Sequence, residues 1–73
     1  MHFPKRETVE EIRKLYPKGT CIVLLRMDDV QAPPIGTKGI VWGVDDAGNI
    51  LMNWENGSRL NLVVGVDSFR VIG

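Results

Sequence analysis

A chain of 73 residues with one cysteine, one histidine and no net charge has few structural supports beyond its own core. Cys21 alone cannot form an intramolecular disulfide, His2 stands at the terminus, and no cluster of Cys, His and acidic residues has the spacing of metal ligands. We therefore expect no metal and no cofactor. A single domain of this size buries a thin core, which favours association with a copy of itself or with another protein.

The charges are unevenly placed along the chain. Residues 1–19 carry five basic and three acidic side chains, whereas residues 20–73 carry four basic and six acidic ones. Proteins that bind nucleic acid usually present a basic face, because phosphate contacts supply much of their affinity. Any such binding would depend here on the N-terminal segment. The sequence has neither an apolar run long enough to span a membrane nor a signal-peptide pattern, which predicts a cytoplasmic protein with no membrane contact.

The segment TVEEIRKLYPKG predicts a short amphipathic helix over residues 9–16. Thr8 with Glu11 three residues later has the pattern of a capping box, and the proline and glycine end the helix. The apolar residues at helical spacing are Val9, Ile12, Leu15 and Tyr16. Because so short a helix is marginal alone, we expect it to close one end of the domain through Val9, Ile12 and Tyr16.

From residue 20 onward the apolar residues follow the period of a β-strand. Five short segments separated by turn signals are the predicted strands: TCIVLLR, KGIVWGV, NILMNWE, SRLNLVV and SFRVI. Strands of this length and spacing are typical of a small β-barrel or sandwich.

The asparagine-glycine turn fixes which residues share a face. In NILMNWE the polar asparagine and glutamate point outward, so Met52 and Trp54 point inward. A two-residue turn would place an inward residue opposite an outward one. We therefore predict a three-residue loop with Gly57 at positive φ, which pairs Trp54 with Ser58 and Met52 with Leu60.

The preceding hairpin turns through DDAG, with Gly48 suited to a left-handed conformation. This loop pairs Val44 with Asn49, Trp42 with Leu51, and Val41 with Met52. Trp42 and Leu51 then face outward beside Ile40, as a candidate interaction patch. The residues assigned to the core are Ile22, Leu24, Val41, Ile50, Met52, Trp54, Leu60, Leu62, Phe69 and Val71.

Residues 27–39, MDDVQAPPIGTKG, predict a long loop that its prolines stiffen. Asp28 and Asp29 are interpreted either as turn formers that accept backbone N–H groups or as an acidic pair that meets a basic group of a partner. Gly36 and Gly39 are expected to let the chain turn back into the second predicted strand and to let neighbouring strands approach closely.

The residues that could take part in catalysis are more simply interpreted as structural residues. The adjacent aspartates Asp28-Asp29 and Asp45-Asp46 are more typical of turns than of paired catalytic carboxylates. Cys21 has no histidine partner within the ordered chain, and GTKG is followed by a strand rather than the helix of a phosphate-binding loop. We therefore expect that the protein is not an enzyme.

Seven segments carry a resemblance to a known family: YPKGT, MDD, APP, GTKG, GVDDAGNI, WENGS and GVDSFRVI. From Val9 to Ile72 the chain resembles a family of small proteins of unknown function from Firmicutes, their phages and mobile elements. This resemblance implies a mainly β, five-stranded SH3-like barrel with a short N-terminal α-helix. Residues 1–73 then form one domain, with a helical segment at 1–19 and the barrel at 20–73. A looser similarity links IGTKGIVWGVDDAGNILMNW to KOW and Tudor-like barrels.

Three functions follow as hypotheses. The first is a non-enzymatic binding module or small inhibitor from a phage or mobile-element context, which acts by protein–protein interaction or self-association. Its predicted partner-binding residues are Asp28, Asp29, Gln31, Pro33, Pro34, Lys38, Trp42 and Leu51. The alternative is a KOW-like binder of nucleic acid or ribonucleoprotein that uses Lys5, Arg6, Arg13, Lys14 and Lys38. The third is an oligomer that sequesters a small nucleotide in an anti-defence role.

Overall fold

The computed structural model describes residues 5–73, which form one helix and one antiparallel sheet. The elements are α1 (Arg6–Leu15), β1 (Cys21–Arg26), β2 (Lys38–Val44), β3 (Asn49–Trp54), β4 (Leu62–Val63) and β5 (Ser68–Val71). The strand order is β4-β3-β2-β1-β5. This confirms the prediction of a mainly β, five-stranded domain with an N-terminal helix. Within the described residues β4 and β5 are the two sheet edges and do not pair, so the sheet is not closed into a barrel.

The helix begins earlier than the sequence predicted. Lys5 is its N-cap, in an extended conformation and without a side-chain capping hydrogen bond. Thr8 therefore lies inside the helix, and the predicted capping box with Glu11 is wrong. Arg6 and Glu7 are good helix formers, and the acidic side chain of Glu7 in the first turn favours the helix dipole. No helix within residues 5–73 has the length and apolar character needed to cross a membrane.

The predicted contact between the helix and the sheet is confirmed. Val9 and Ile12 are buried, and Tyr16 packs against the core with its ring edge-on to Phe69 at a centroid distance of 5.4 Å. Leu15 is 66% exposed. The positions that face the sheet are thus spaced by three and four residues, and Leu15 falls beside this stripe.

The turn between β3 and β4 has the predicted form. Gly57 has a φ of +88°, and the Trp54 N–H donates to the Ser58 carbonyl (3.0 Å). The pairing of Ile50 with Leu62 continues the predicted register. However, β4 is shorter than the predicted strand, and the predicted strand pair of Met52 with Leu60 is not formed.

The hydrogen bonds of the Leu60 backbone explain why β4 begins at Leu62 and not earlier in the segment SRLNLVV. The Leu60 carbonyl accepts the indole N–H of Trp54 (2.8 Å), and its N–H donates to the Ser58 hydroxyl (3.2 Å). Because side chains occupy both backbone groups, strand pairing resumes only at Leu62. Leu60 is half-buried rather than fully in the core.

The register between β2 and β3 was predicted only in part. Val41 pairs with Met52 as expected, but a β-bulge follows, and beyond it Gly43 pairs with Leu51 and Val44 with Ile50. The predicted pairs of Trp42 with Leu51 and of Val44 with Asn49 are therefore wrong.

The bulge follows from the length of the next turn. Asp45 and Asn49 are already bonded (Asp45 N–H to Asn49 carbonyl, 3.0 Å), so the loop has three residues instead of four. Gly48 has the predicted positive φ of +83°. The extra residue is absorbed at Trp42, and Val44 turns toward the core.

The buried apolar residues match most of the predicted core: Val9, Ile12, Ile22, Leu24, Val41, Ile50, Met52, Trp54 and Leu62. Trp54 is 4% exposed and Trp42 is 49% exposed, which confirms the predicted facing of the sheet. Phe69 is half-buried, and Val71 is 46% exposed, so its assignment to the core is wrong. β5 is an edge strand, and its inward residues have a neighbouring strand on one side only.

The two glycines at the end of the long loop have the predicted roles. Gly36 has a φ of +90°, which lets the chain turn back into β2. Gly39 lies against the core, where an added Cβ would stand 2.6 Å from Trp54 Cε3 and 2.9 Å from Met52 Cε. Only a residue without a side chain fits there.

Candidate functional site

The side of the sheet turned away from the core carries exposed apolar side chains. Since Ile22, Leu24, Val41 and Met52 point inward, the residues that alternate with them point outward. We call this surface the outer face; it comprises Cys21, Val23, Lys38, Ile40, Trp42, Leu51, Asn53, Glu55, Arg70 and Ile72.

One row of the outer face crosses three strands and reaches Ile72, the residue after β5. Cys21 pairs with Ile40, which pairs with Asn53, and the Ile72 N–H donates to the Cys21 carbonyl (2.9 Å). Ile40 and Ile72 thus flank the half-buried Cys21. A shallow groove of about 450 Å³ follows this row, with Lys38 at its side.

The β-bulge in β2 determines how Trp42 is placed at one end of the outer face. It places both Trp42 and Gly43 opposite Leu51, and a Cβ on Gly43 would stand 3.7 Å from Leu51 Cδ1. Leu51 therefore covers the glycine, while the indole of Trp42 remains half exposed. The outward Trp–Leu patch is present, although its two members are not register partners.

The long loop is made of two consecutive turns. In the first, the Ala32 N–H donates to the Asp29 carbonyl (3.0 Å). In the second, the N–H and the hydroxyl of Thr37 both donate to the Pro34 carbonyl (3.0 and 2.6 Å). Pro33 is buried between them and anchors the loop. The loop is therefore held by its own two turns and by the burial of Pro33.

The two loop aspartates have different environments. Asp29 Oδ1 accepts the Gln31 N–H (2.8 Å) and so forms part of the first turn. Asp28 makes only an exposed ion pair with Arg26 (3.3 Å). Of the two interpretations, the turn-forming one describes the contacts of Asp29, and Asp28 is the carboxylate turned toward solvent.

We expect Asp29→Ala to lower the melting temperature by about 4 °C, since one hydrogen bond of about 0.5–1 kcal/mol is lost in a small domain. Asp28→Ala is the matched control, and its melting temperature should be unchanged because exposed ion pairs add little stability. Thermal unfolding followed by circular dichroism measures both. Equal melting temperatures for the two variants would contradict the assignment of Asp29 to the turn.

The predicted partner-binding residues fall into two groups. The loop residues Asp28, Asp29, Gln31, Pro33 and Pro34 lie before β2, whereas Trp42 and Leu51 lie at the other end of the outer face. Along β2, Lys38 and Trp42 are about 13 Å apart, at 3.3 Å per residue. Lys38 adjoins the loop group only, at the point where the loop enters the strand.

A family model for a domain of unknown function, DUF4314, matches residues 5–72 of the chain. The chain belongs to this family. The match includes the helix and all five strands of this DUF4314 domain. Comparison with curated proteins finds no match, and comparison with solved structures finds none.

The cations of the nucleic-acid hypothesis are mixed with acidic residues in the DUF4314 domain. Lys5, Arg6 and Lys14 lie on or beside α1, where Glu7, Glu10 and Glu11 line the same surface. Lys38 lies apart from them, on the outer face of the sheet. The helix therefore presents a surface of mixed charge rather than a basic stripe.

Arg13 joins the helix to the sheet. Its guanidinium donates to Asp46 Oδ1 (3.0 Å), to the Val44 carbonyl (3.2 and 3.3 Å) and to Glu10 Oε1 (2.9 Å). The hydrogen bond to Asp46 is the main cause of a raised pKa of Arg13, so its charge is retained. Sequence reasoning assigned this residue to nucleic acid and missed its structural contacts, which no local pattern indicates.

The other aspartate pair also divides into two roles. Asp45 accepts hydrogen bonds from the backbone N–H groups of Ala47 (3.0 Å) and Asn49 (2.9 Å) and from Asn49 Nδ2 (3.2 Å). It thus forms the turn, as predicted. Within residues 5–73 no group of three His, Cys, Asp or Glu side chains is placed to hold a metal ion.

Proposed function

We propose that this DUF4314 domain is a non-enzymatic binding module that contacts a protein partner through its outer face. The half-exposed Trp42 carries the proposal. An indole held on a β-strand presents a large contact area with few rotatable bonds, and tryptophan is enriched among the residues that dominate protein interfaces. Ile40 and Ile72 extend the same apolar surface and are also exposed.

The remaining parts of the outer face suit a protein interface. Interfaces combine an apolar centre with a polar rim, and here Lys38, Glu55 and Arg70 border the apolar residues. The long loop adds a second rim, with the carboxylate of Asp28 turned to solvent. A partner that covered both regions would contact most of the residues predicted from the sequence.

The proposal also includes a specific fold type and a biological context. The strand order, in which β5 returns beside β1, supports an SH3-like barrel that is open between β4 and β5. The sequence resemblance to proteins of phages and mobile elements supports a role as a cytoplasmic binding module or small inhibitor. The mixed charge of α1 does not favour nucleic acid as the partner.

We expect Trp42→Ser to weaken partner binding strongly without lowering the melting temperature. Loss of a central tryptophan at an interface costs about 2 kcal/mol or more, a decrease in affinity of roughly thirtyfold. The measurement is quantitative capture of proteins from a nuclease-treated lysate of the source organism by the immobilised domain. Leu15→Ser is the matched control, because Leu15 is exposed on the helix, away from the outer face.

Two results would contradict the proposal. One is equal capture by the Trp42 and Leu15 variants. The other is binding of short RNA or DNA at micromolar concentration with a steep dependence on salt, which is the behaviour of a protein that neutralises phosphates.

A further inference from the structure

β5 is an open edge of the sheet. The Ile72 N–H donates to the Cys21 carbonyl, so Arg70, two residues earlier, also directs its backbone groups toward β1. The N–H and C=O groups of Phe69 and Val71 alternate with these and point away from β1. Within residues 5–73 no hydrogen bond reaches these four groups. A further strand could therefore pair with β5.

The opposite edge of the sheet is closed by its own turn. β4 has only two residues, and the Val63 N–H donates to Asp67 Oδ2 (2.8 Å). The Val63 carbonyl accepts the N–H groups of Val66 (3.1 Å) and Asp67 (3.0 Å). The outward backbone groups of β4 are thus satisfied within the chain, and β5 is the edge with free hydrogen-bonding capacity among the described strands.

The side chains of β5 indicate which residue types an added strand would carry next to them. Arg70 pairs with Val23, which pairs with Lys38, and the Glu55 N–H in turn donates to the Lys38 carbonyl. The carboxylate of Glu55 thus lies beside Lys38 in this row, and Arg70 is the charge at the β5 end. A residue added next to Arg70 in this row would be stabilised by a negative charge. On the other side of the strand Phe69 packs against the core, and Val71, the register partner of Ile22, is 46% exposed, so an apolar neighbour would cover it.

A second copy of the chain fits this edge poorly. Antiparallel self-pairing that uses all four free backbone groups places Phe69 opposite Val71 of the other copy. Arg70 then lies directly opposite the same arginine, and like charges in that position are destabilising. A charged residue in the middle of an edge strand is a known means of preventing such self-association.

We infer that β5 binds an extended segment of a partner protein, which adds a strand to the sheet with an acidic residue beside Arg70 and apolar residues beside Phe69 and Val71. The inference rests on the proposed function, because it assumes a protein partner, and it defines the part of that partner which is bound. Main-chain hydrogen bonds provide the affinity in this mode of recognition, and the alternating side chains provide the specificity.

The test uses the full chain and a capped synthetic heptapeptide of alternating glutamate and valine, titrated in an NMR experiment on the ¹⁵N-labelled protein. We expect the Phe69 and Val71 amides to shift, and at saturation to exchange with solvent at least tenfold more slowly. The same peptide with lysine in place of glutamate should bind about fivefold more weakly or worse, because the favourable charge pair becomes a repulsive one.

Variants of the arginine make the test specific. Arg70→Glu should reverse the preference between the two peptides, while Arg59→Glu, an exposed charge reversal on the segment before β4, should leave it unchanged. Both variants should melt like the parent chain. Equal affinity for the two peptides, or shifts that spare Phe69 and Val71, would overturn the inference. Slowed exchange of those amides at high protein concentration without peptide would also overturn it, in favour of a second copy.

The outcome is separable from that of the outer-face proposal. Trp42→Ser should leave the peptide titration unchanged, because Trp42 lies on β2 rather than at the β5 edge. If the peptide fails to bind while lysate capture still requires Trp42, only the β5 inference is lost. If the peptide binds as expected and Trp42→Ser retains the partner, only the outer-face proposal is lost.

Discussion

Gly39→Ala is expected to lower the melting temperature by about 10 °C, or to prevent folding at 37 °C. The added methyl group would stand 2.6 Å from Trp54 Cε3, so the ring would have to shift, and 2.9 Å from Met52 Cε, at the end of a more flexible side chain. Both partners are buried, and the Trp54 ring is further held by its hydrogen bond to the Leu60 carbonyl. Overpacking of this kind costs about 1–3 kcal/mol, and in a small domain each kcal/mol corresponds to about 4–8 °C.

Gly43→Ala is the matched control for this substitution. Gly43 lies on the same strand, has no positive φ, and has only Leu51 Cδ1 within reach of an added Cβ, at an ordinary contact distance of 3.7 Å. Its melting temperature should stay within about 3 °C of the parent value. Similar melting temperatures for the two alanine variants would show that the core relaxes around residue 39, contrary to the prediction.

Asp45→Ala should also lower the melting temperature by about 10 °C. One carboxylate holds three donors of the turn between β2 and β3, and each such hydrogen bond contributes about 0.5–1.5 kcal/mol. Hydrogen exchange of the Ala47 and Asn49 amides, measured by NMR, should become faster in the variant. Melting curves from circular dichroism give the change in stability.

Asp46→Ala distinguishes this effect from a general loss of negative charge. Asp46 is fully exposed, and its contact is the ion pair with Arg13, so we expect little change in melting temperature. If removing Asp46 destabilised the domain as much as removing Asp45, the ion pair between helix and sheet, rather than the turn, would be the main support of this hairpin.

Local patterns predicted much of the sheet because alternation and turn chemistry act over a few residues. The inward position of Trp54, the outward position of Trp42 and the positive φ of Gly57 all follow from such short-range rules. The bulge at Trp42 could not be predicted in this way. DDAG fits loops of three and of four residues equally well, and the choice depends on how Asp45 bonds to Asn49.

Sequence reasoning also missed features that depend on distant parts of the chain. The exposure of Val71 follows from the position of β5 at the sheet edge, and no pattern within SFRVI indicates that position. The same holds for the candidate site. Trp42 was found from alternation together with the predicted pairing of Val41 with Met52 across the DDAG turn. The free backbone groups of β5 and the contacts of Arg13 with the β2–β3 turn require the topology.

The pairing of β5 with β1 also determines the order in which the domain can assemble. Among β1 to β4, each strand pairs with the next one along the chain, so each of these pairings closes a short loop. The pairing of β1 with β5 instead closes a loop that contains all of residues 27–67. Loop-closure entropy delays this last pairing. Until it forms, the apolar run CIVLL of β1 is itself a bare edge, and a chain slowed at this stage would be prone to aggregate. Pairing of β5 with β1 therefore removes this exposed edge and protects β1 from aggregation during folding.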